Sequence, residues 1–430
     1  MKKLFFAFVL LCCVSCGVFN RYTRPETGVT YADSVQAAPW KEMYRDALLQ
    51  DLVDTALANA TDYRVAQLKS EEAAAMLRRS RLQFFPSLGA SASADLRSGD
   101  VNAGLNASCQ LDIFGKMRAS SLAADAAYKG SGAYVQAVKA SIVAAVASSY
   151  YTLVVLDSQL DVSERTLENW DKTISVLESL KAAGKTNDIA VLQAQAKKMK
   201  LQSSTVELRR SITEAENALC LLMGVTRRQI PRGSLQDAQD AFAGGLPAGV
   251  PVVAVASRPD VRQAEMVLAE AFYTTAGARA AFYPDVTLSG SGSWLTSGSD
   301  LIWSALASLA APLFSRGEKT AALRVAKARQ EEAKLAFRHA LLDAGAEVDN
   351  AIAGCKAARE RIEIDTRQRD ALAQAVGKIE LMMRYSTSNY LEVLTAQQSL
   401  LDAELGLIGD GYALISSYIS LYQALGGGVE

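Results

Sequence analysis

Six cysteines and one histidine have the widest chemical reach in this chain, and their spacing decides what chemistry is open to it. His339 lies inside a helical pattern with no cysteine or acidic cluster beside it, and reads as a helix-surface or packing residue. Cys109, Cys220 and Cys355 are scattered and form no C-x-x-C pair, so they read as small apolar fillers rather than a disulfide framework. No nucleophile motif, phosphate loop or metal-ligand spacing accompanies them. The expectation is a protein without catalysis, cofactor or metal. Lys and Arg total 45 against 46 Asp and Glu, a balance that offers no basic footprint for nucleic acid.

Cys12, Cys13 and Cys16 crowd the N-terminus. Lys2-Lys3 precedes an apolar run of 11 residues, Leu4 to Val14. A membrane-spanning helix needs about 20, so the run suits a signal peptide, expected over residues 1–15. Val14-Ser15-Cys16-Gly17 resembles the bacterial lipobox, in which cleavage falls just before a cysteine that is then acylated. Cys16 is therefore the expected lipidation site, with an ordinary signal peptide as the alternative. Acyl chains there would anchor the chain to a membrane without spanning it. Residues 16–45, with Arg21, Arg24, Pro25 and Pro39, read as an irregular lead-in. No later segment reaches 18 consecutive apolar residues. No transmembrane helix is expected, and any membrane crossing falls to strands.

The elements that would position this chemistry are marked by proline. None occurs from 87 to 230 or from 313 to 430. Because proline breaks helix interiors, both stretches can hold very long helices. Ile142, Val146, Ser149, Leu153, Leu156, Leu160, Ser163, Leu167, Trp170, Ile174 and Leu177 alternate steps of four and three. So do Leu391, Leu394, Gln398, Leu401, Leu405, Ile408, Tyr412, Ile415, Ile419 and Tyr422. That period belongs to coiled-coil packing. Lys116 to Ala183 would reach roughly 100 Å, and Arg316 to Arg384 would match it. Returning helices follow at Asn187 to Met223 and Asn389 to Leu425, with Gly184 and Gly224 as stops.

The chain also repeats itself. Asp62-Tyr63-Arg64-Val65 answers to Asp260-Val261-Arg262-Gln263, and Phe84-Phe85-Pro86 to Phe282-Tyr283-Pro284, both at an offset of 198. Each half carries a pattern of period two. Val101, Ala103, Leu105, Ala107, Cys109 and Leu111 alternate with Asn, Gly, Ser, Gln and Asp, and Leu88, Ala90, Ala92 and Ala94 precede them in the same manner. Val286, Leu288 and Trp294 lead to Leu301, Trp303, Ala305, Ala307 and Leu309 in the second half. Strands of about ten residues, apolar outside and polar inside, match transmembrane β-barrels, with Trp294 and Trp303 near an aromatic girdle. The expected organisation is a first pseudo-repeat over 46–225 (hairpin 86–113, helical pair 116–223) and a linker over 226–249. A second pseudo-repeat covers 250–430 (hairpin 284–313, helical pair 316–425). The smallest barrels need about eight strands and one chain offers half of that, so chains must pool their strands.

Several segments together carry a family resemblance. They are Tyr22-Thr23-Arg24-Pro25, Leu57-Ala58-Asn59, Phe85-Pro86-Ser87-Leu88, Leu111-Asp112-Ile113-Phe114-Gly115-Lys116 and Arg258-Pro259-Asp260-Val261. The C-terminal ones are Asn389-Tyr390-Leu391-Glu392-Val393-Leu394, Ala396-Gln397 and Leu421-Tyr422-Gln423-Ala424-Leu425-Gly426-Gly427. In their order the chain resembles the TolC-like outer membrane factors, and within them the OprM/NodT-type efflux lipoproteins. The resemblance implies a mainly α protein with a transmembrane β portion. Three chains would form a 12-stranded barrel in the bacterial outer membrane, continuing into a periplasmic coiled-coil barrel. Segments near Asp33 to Ala58 and Thr226 to Ala256 would form an equatorial girdle.

The same resemblance implies a passive efflux duct, working with a periplasmic adaptor (a membrane fusion protein) and an inner-membrane RND-type pump. Its tip would open when the adaptor engages it. Glu392 falls where relatives carry a constriction carboxylate, and three copies would form an acidic ring favouring cations. Thr395, one turn on, is neutral. Tyr385 and Tyr390 complete the expected constriction. Ala183, Gly184, Lys185, Arg384 and Ser386 are the expected adaptor-docking tips. Two other readings stand beside this one: the channel of a type I protein secretion system, and a lipid-anchored periplasmic coiled-coil scaffold without a pore.

Overall fold

The computed structural model describes residues 20–25, 39–94, 101–242, 252–295, 298–310, 316–384 and 390–427. The signal peptide, Cys16, Tyr385 and Ser386 lie outside them. Helices α1 (Trp40–Met43), α2 (Ala47–Asn59) and α3 (Thr61–Leu82) lead to strands β1 (Ser87–Ala94) and β2 (Val101–Leu111). Helices α4 (Lys116–Ala182), α5 (Asp188–Leu222) and α6 (Leu235–Phe242) follow, then a 3₁₀ turn at Val252–Ser257. The second half runs α7 (Pro259–Ala280), β3 (Asp285–Leu295), β4 (Gly298–Ala310), α8 (Glu318–Arg384) and α9 (Tyr390–Ala424). Both long helices, α4 and α8, have 67 residues, and both returning helices, α5 and α9, have 35.

Two compact units cut across the repeats. One gathers Val65–Val135 and Pro259–Leu342 with the start of the lead-in; the other gathers Gln136–Arg258 and Asp343–Glu430 with Tyr31–Arg64. Their boundaries fall inside α3, α4 and α8.

In the first unit the strands form one antiparallel sheet in the order β1-β2-β3-β4. The register aligns the sequence alternation across it. Leu88 stands opposite Ala107, Ala107 opposite Gly290 and Gly290 opposite Ala305. One step along, Cys109 faces Leu288, which faces Ala307. Residues directly opposite share a face, so the apolar positions of all four strands gather on one side. Serines collect on the other. Ser87 and Ser108 hydroxyls lie 2.8 Å apart, and those of Ser291 and Ser304 2.7 Å. β4 departs from the pattern, adding Leu306 to this polar side, 65% exposed.

The sheet is tied to α4 by local chemistry. Asp112 accepts from the backbone N–H of Met117 (2.9 Å) and Arg118 (2.8 Å), satisfying orphan donors of the first turn. Gly115, at φ 77°, turns the chain between cap and helix. Lys116 donates to both oxygens of Asp285, at 3.2 and 3.0 Å, and Gln110 donates to the same carboxylate at 3.0 Å. The root of β3 is thereby fastened to the start of α4.

The second unit is held by an aromatic core. Tyr44 meets Tyr422 edge-on at 5.4 Å, Tyr151 meets Phe242 at 5.7 Å, and Phe242 stacks on Tyr418 at 5.2 Å. Leu49, Leu52, Val53 and Ile415 pack around them with no more than 1% exposure. α4 is more apolar here than its single seam required. Val143, Ala147, Tyr150 and Val154 bury a second stripe beside Ile142, Val146 and Leu153. The two stripes explain why α4 has a window of mean hydropathy 1.5, long enough to cross a membrane, yet 61% buried within the protein.

Glycines close the helices in left-handed conformation at Gly184 (φ 67°), Gly224 (φ 67°) and Gly426 (φ 91°). Lys185 N–H reaches Leu180 O, Val225 N–H reaches Cys220 O and Gly427 N–H reaches Tyr422 O, the six-to-one bond of a Schellman end. The two repeats thus stop their helices by the same device.

Replacing Asp112 by Ala removes two cap bonds without touching the core. The expected loss is about 1 kcal/mol of stability. Urea unfolding followed by circular dichroism checks it, and an unchanged midpoint would refute the capping role.

Candidate channel wall and gate

The sheet is a wall with two unfinished sides. β1 and β4 are its outer strands, and each pairs on one side only among the described residues. Its apolar face is open: Leu88 is 84% exposed, Leu105 67% and Leu309 69%. At the strand roots the repeated aromatic pairs, Phe84-Phe85 and Phe282-Tyr283, are exposed as well. Phe114, at the foot of β2, stacks on Tyr283 at 4.8 Å. The register sets Trp294 opposite Ala103 and Trp303 opposite Gly292. The exposed aromatic pairs at the strand roots thus mark one end of an apolar band, as at a membrane–water interface.

The second unit carries the tips. Ala183, Gly184 and Lys185 are all exposed, at the turn between α4 and α5. Asn187 caps α5, accepting from Ala190 N–H at 3.2 Å, and Lys181 pairs with Asp188 across the turn. Arg384 ends α8. Tyr390 opens α9 half-buried, and Glu392 lies exposed in its first turn. Thr395 is exposed, its hydroxyl spent on the Leu391 carbonyl at 2.8 Å. Leu391, placed in the seam by periodicity, is 53% exposed. The buried stripe at the tip runs through Val393, Leu394 and Gln397 instead, against Trp170, Leu177, Ala190 and Val191.

Gln397 entered the sequence reading only within the resemblance segment Ala396-Gln397, with no role of its own. It is 6% exposed and ties three helices: its amide donates to Thr173 of α4 and Glu380 of α8, both at 2.8 Å. The signal available was its match to Gln195 in the repeat. Periodicity also missed a groove of about 540 Å³ between α5 and α9. Gln193, Ala196, Lys197 and Lys200 line one side, and Leu391, Leu394, Thr395 and Gln398 the other. The lysines recur at helical spacing on one face of α5. The groove brings Thr395 together with the lysines.

Higher on α9, Asp410 is 1% exposed. Burial, then the Asp365 carboxyl on α8, pushes it up to about 6 from a usual 3.8, against the pull of Arg361. Arg361 reaches one oxygen of Asp410 as an ion pair, but neither carboxylate oxygen has an aligned hydrogen bond. Next to it, Gln239 of α6 fills the space a Cβ on Gly411 would need. The polar group is therefore enclosed on the hairpin that carries Glu392.

The chain matches the family described as outer membrane efflux protein over residues 52–225 and 250–427. It is 29% identical to the cation efflux system protein CusC of Escherichia coli K12, over 98% of both chains. It is 28% identical to the probable outer membrane lipoprotein SilC of Salmonella typhimurium, over 98% of this chain and 97% of the relative. The solvent efflux pump outer membrane protein SrpC of Pseudomonas putida gives the same three figures, 28%, 98% and 97%. A solved CusC structure superposes with a TM-score of 0.87 at 29% identity, covering 95% of this chain and 99% of that one.

Asp410 sets a pH dependence. Its folded value lies above its usual one, so the fold favours the protonated form. That stabilisation is complete below about pH 4 and is lost as pH rises through about 6. Asp410→Asn keeps the shape and removes the charge. The variant is expected to be more stable than the native chain near neutral pH, by on the order of 1–2 kcal/mol, with the gap closing in acid. Thermal melts across this range check it; a variant destabilised at neutral pH would reverse the sign.

Proposed function

Since the chain belongs to the outer membrane efflux protein family, we propose that it works as a trimer, three copies pooling their strands into one closed barrel and their long helices into a tube. It is an outer-membrane channel of an efflux system. The single observation that carries the trimer is the four-stranded sheet with an apolar face and an unpaired edge at β1 and β4. In lipid an unpaired strand edge leaves backbone groups with nothing to bond, so the edges must close on neighbouring copies. Three copies give about twelve strands, within the size range of such barrels.

Cys16 carries the acyl anchor in this reading. Glu392 from each copy converges at the tip, with Thr395, Tyr385 and Tyr390 completing the constriction. A periplasmic adaptor engages Ala183, Gly184, Lys185, Arg384 and Ser386, and its helices lie in the groove edged by Lys197 and Lys200. An inner-membrane RND-type pump supplies the energy. Ser, Asn and Thr of the polar sheet face would line the duct, neutral groups that choose little among solutes. CusC is named for cations and SrpC for solvents, and substrate choice accordingly rests with the pump.

Three measurements test this. The purified chain should have the mass of three subunits in native mass spectrometry, and Glu392→Ala should raise conductance in planar bilayers above that of the resting native channel. A monomer that never conducts, even with the tip loosened, would leave only a scaffold. Reversing charge in the groove, with Lys197→Glu and Lys200→Glu together, should abolish adaptor capture while leaving the trimer intact. Undiminished capture would move the docking surface elsewhere.

A further inference from the structure

A second cavity, of about 500 Å³, lies in the first unit at the root of the sheet. Phe114, Phe272, Phe282, Tyr283 and Leu323 supply the large apolar part of its wall, Thr275, Arg279 and Gln330 add polar groups, and Asn20 lines it too. Cavities of this size suit small ligands, and apolar walls suit hydrocarbon. The depth is also suitable. Phe282 and Tyr283 belong to the exposed aromatic pairs at the strand roots, the level at which a bilayer would end.

The direction of the lead-in supplies the occupant. Arg24 pairs with Glu265 at 2.8 Å and lies over the Phe337 ring at 5.5 Å. Two residues earlier, Tyr22 donates its backbone N–H to the Tyr273 hydroxyl, 3.3 Å away, and its ring meets Phe272 edge-on at 5.8 Å. Asn20 lines the same cavity as Arg279 and Tyr283. Read backwards from Arg24 to Asn20, the chain climbs α7 from Glu265 toward the start of β3. Burial pushes the Tyr22 hydroxyl up to about 12, so it stays neutral in this packing. Cys16 is four residues beyond Asn20, a reach of at most about 14 Å. We propose that an acyl chain of the Cys16 anchor occupies this cavity, so that the lipid clamps the lead-in to the root of the channel wall as well as to the bilayer. The proposal rests on acylation of Cys16 and would fall with it.

The test uses the full chain in its own outer membrane. Cells are fed a diazirine fatty acid, membranes are irradiated, and adducts are mapped by mass spectrometry beside the intact mass of the mature protein. Adducts on the peptide spanning Phe272 to Tyr283 are expected. They should be lost in Ala276→Trp, which fills the cavity, while its melting temperature holds. An acylated intact mass with adducts confined to outward strand residues such as Leu88 and Leu309 would overturn the cavity alone. An intact mass without acyl groups would overturn the anchor itself. Adducts that persist in Cys16→Ser would show a free membrane lipid in the cavity and also refute the proposal.

Discussion

Backbone hydrogen bonding at the strand edges is the constraint on which the rest depends. Lipid offers no partner to an open N–H or C=O, and each such group costs several kcal/mol there. One chain contributes a sheet whose outer strands are β1 and β4. Its register leaves a continuous apolar face, so the sheet belongs in lipid and cannot stand there alone. The proposed closure by other copies would meet that constraint, and the duplicated architecture suits it. Each half gives one hairpin and one pair of long helices, so that strands and helices are added in equal steps.

The helices answer a different requirement. α4 and α8 are 67 residues each, far above the dozen or so of an ordinary helix. Such lengths hold only when tertiary packing supports them. The aromatic core of Tyr44, Tyr151, Phe242, Tyr418 and Tyr422 does this in the second unit, and the Val393–Leu394–Trp170 cluster does it at the tip. Polar groups set into these seams, Gln397 at the tip and Asp410 above it, are where the packing gives up stability. A buried amide with one unpartnered oxygen and a buried carboxylate out of hydrogen-bond alignment are both costly. Both sit on α9, the helix that begins beside the expected constriction.

Much of this was legible because it obeys simple periods. Alternation of two over Val101 to Leu111 fixed β2 and its apolar side, since a strand turns every second side chain to the same face. Proline-free stretches marked the long helices, and Gly184 and Gly224 marked their ends. Periodicity was less reliable at the tip. It placed Leu391 and Gln398 in the seam, whereas Gln397 is the buried one. Consecutive residues lie about 100° apart around a helix, so a modest rotation about its axis decides which of the two faces inward, and that depends on the partner helices. The Lys197–Lys200 groove was missed for the same reason, being made by two helices that are close only after folding.

The sequence by itself determined the element types, their order and the duplication, because these rest on local torsional preference and on patterns within one segment. It also marked Gly184 and Gly224 as helix stops, whereas the capping role of Asp112 came only with the structure. Only the tertiary structure decided that β2 pairs with β3 across the two halves, with Cys109 opposite Leu288. The same holds for two compact units that cross the repeats, and for a lead-in that runs along α7. Each of these joins residues far apart in the chain. Their free energy comes from shared burial and register, which no single segment can express.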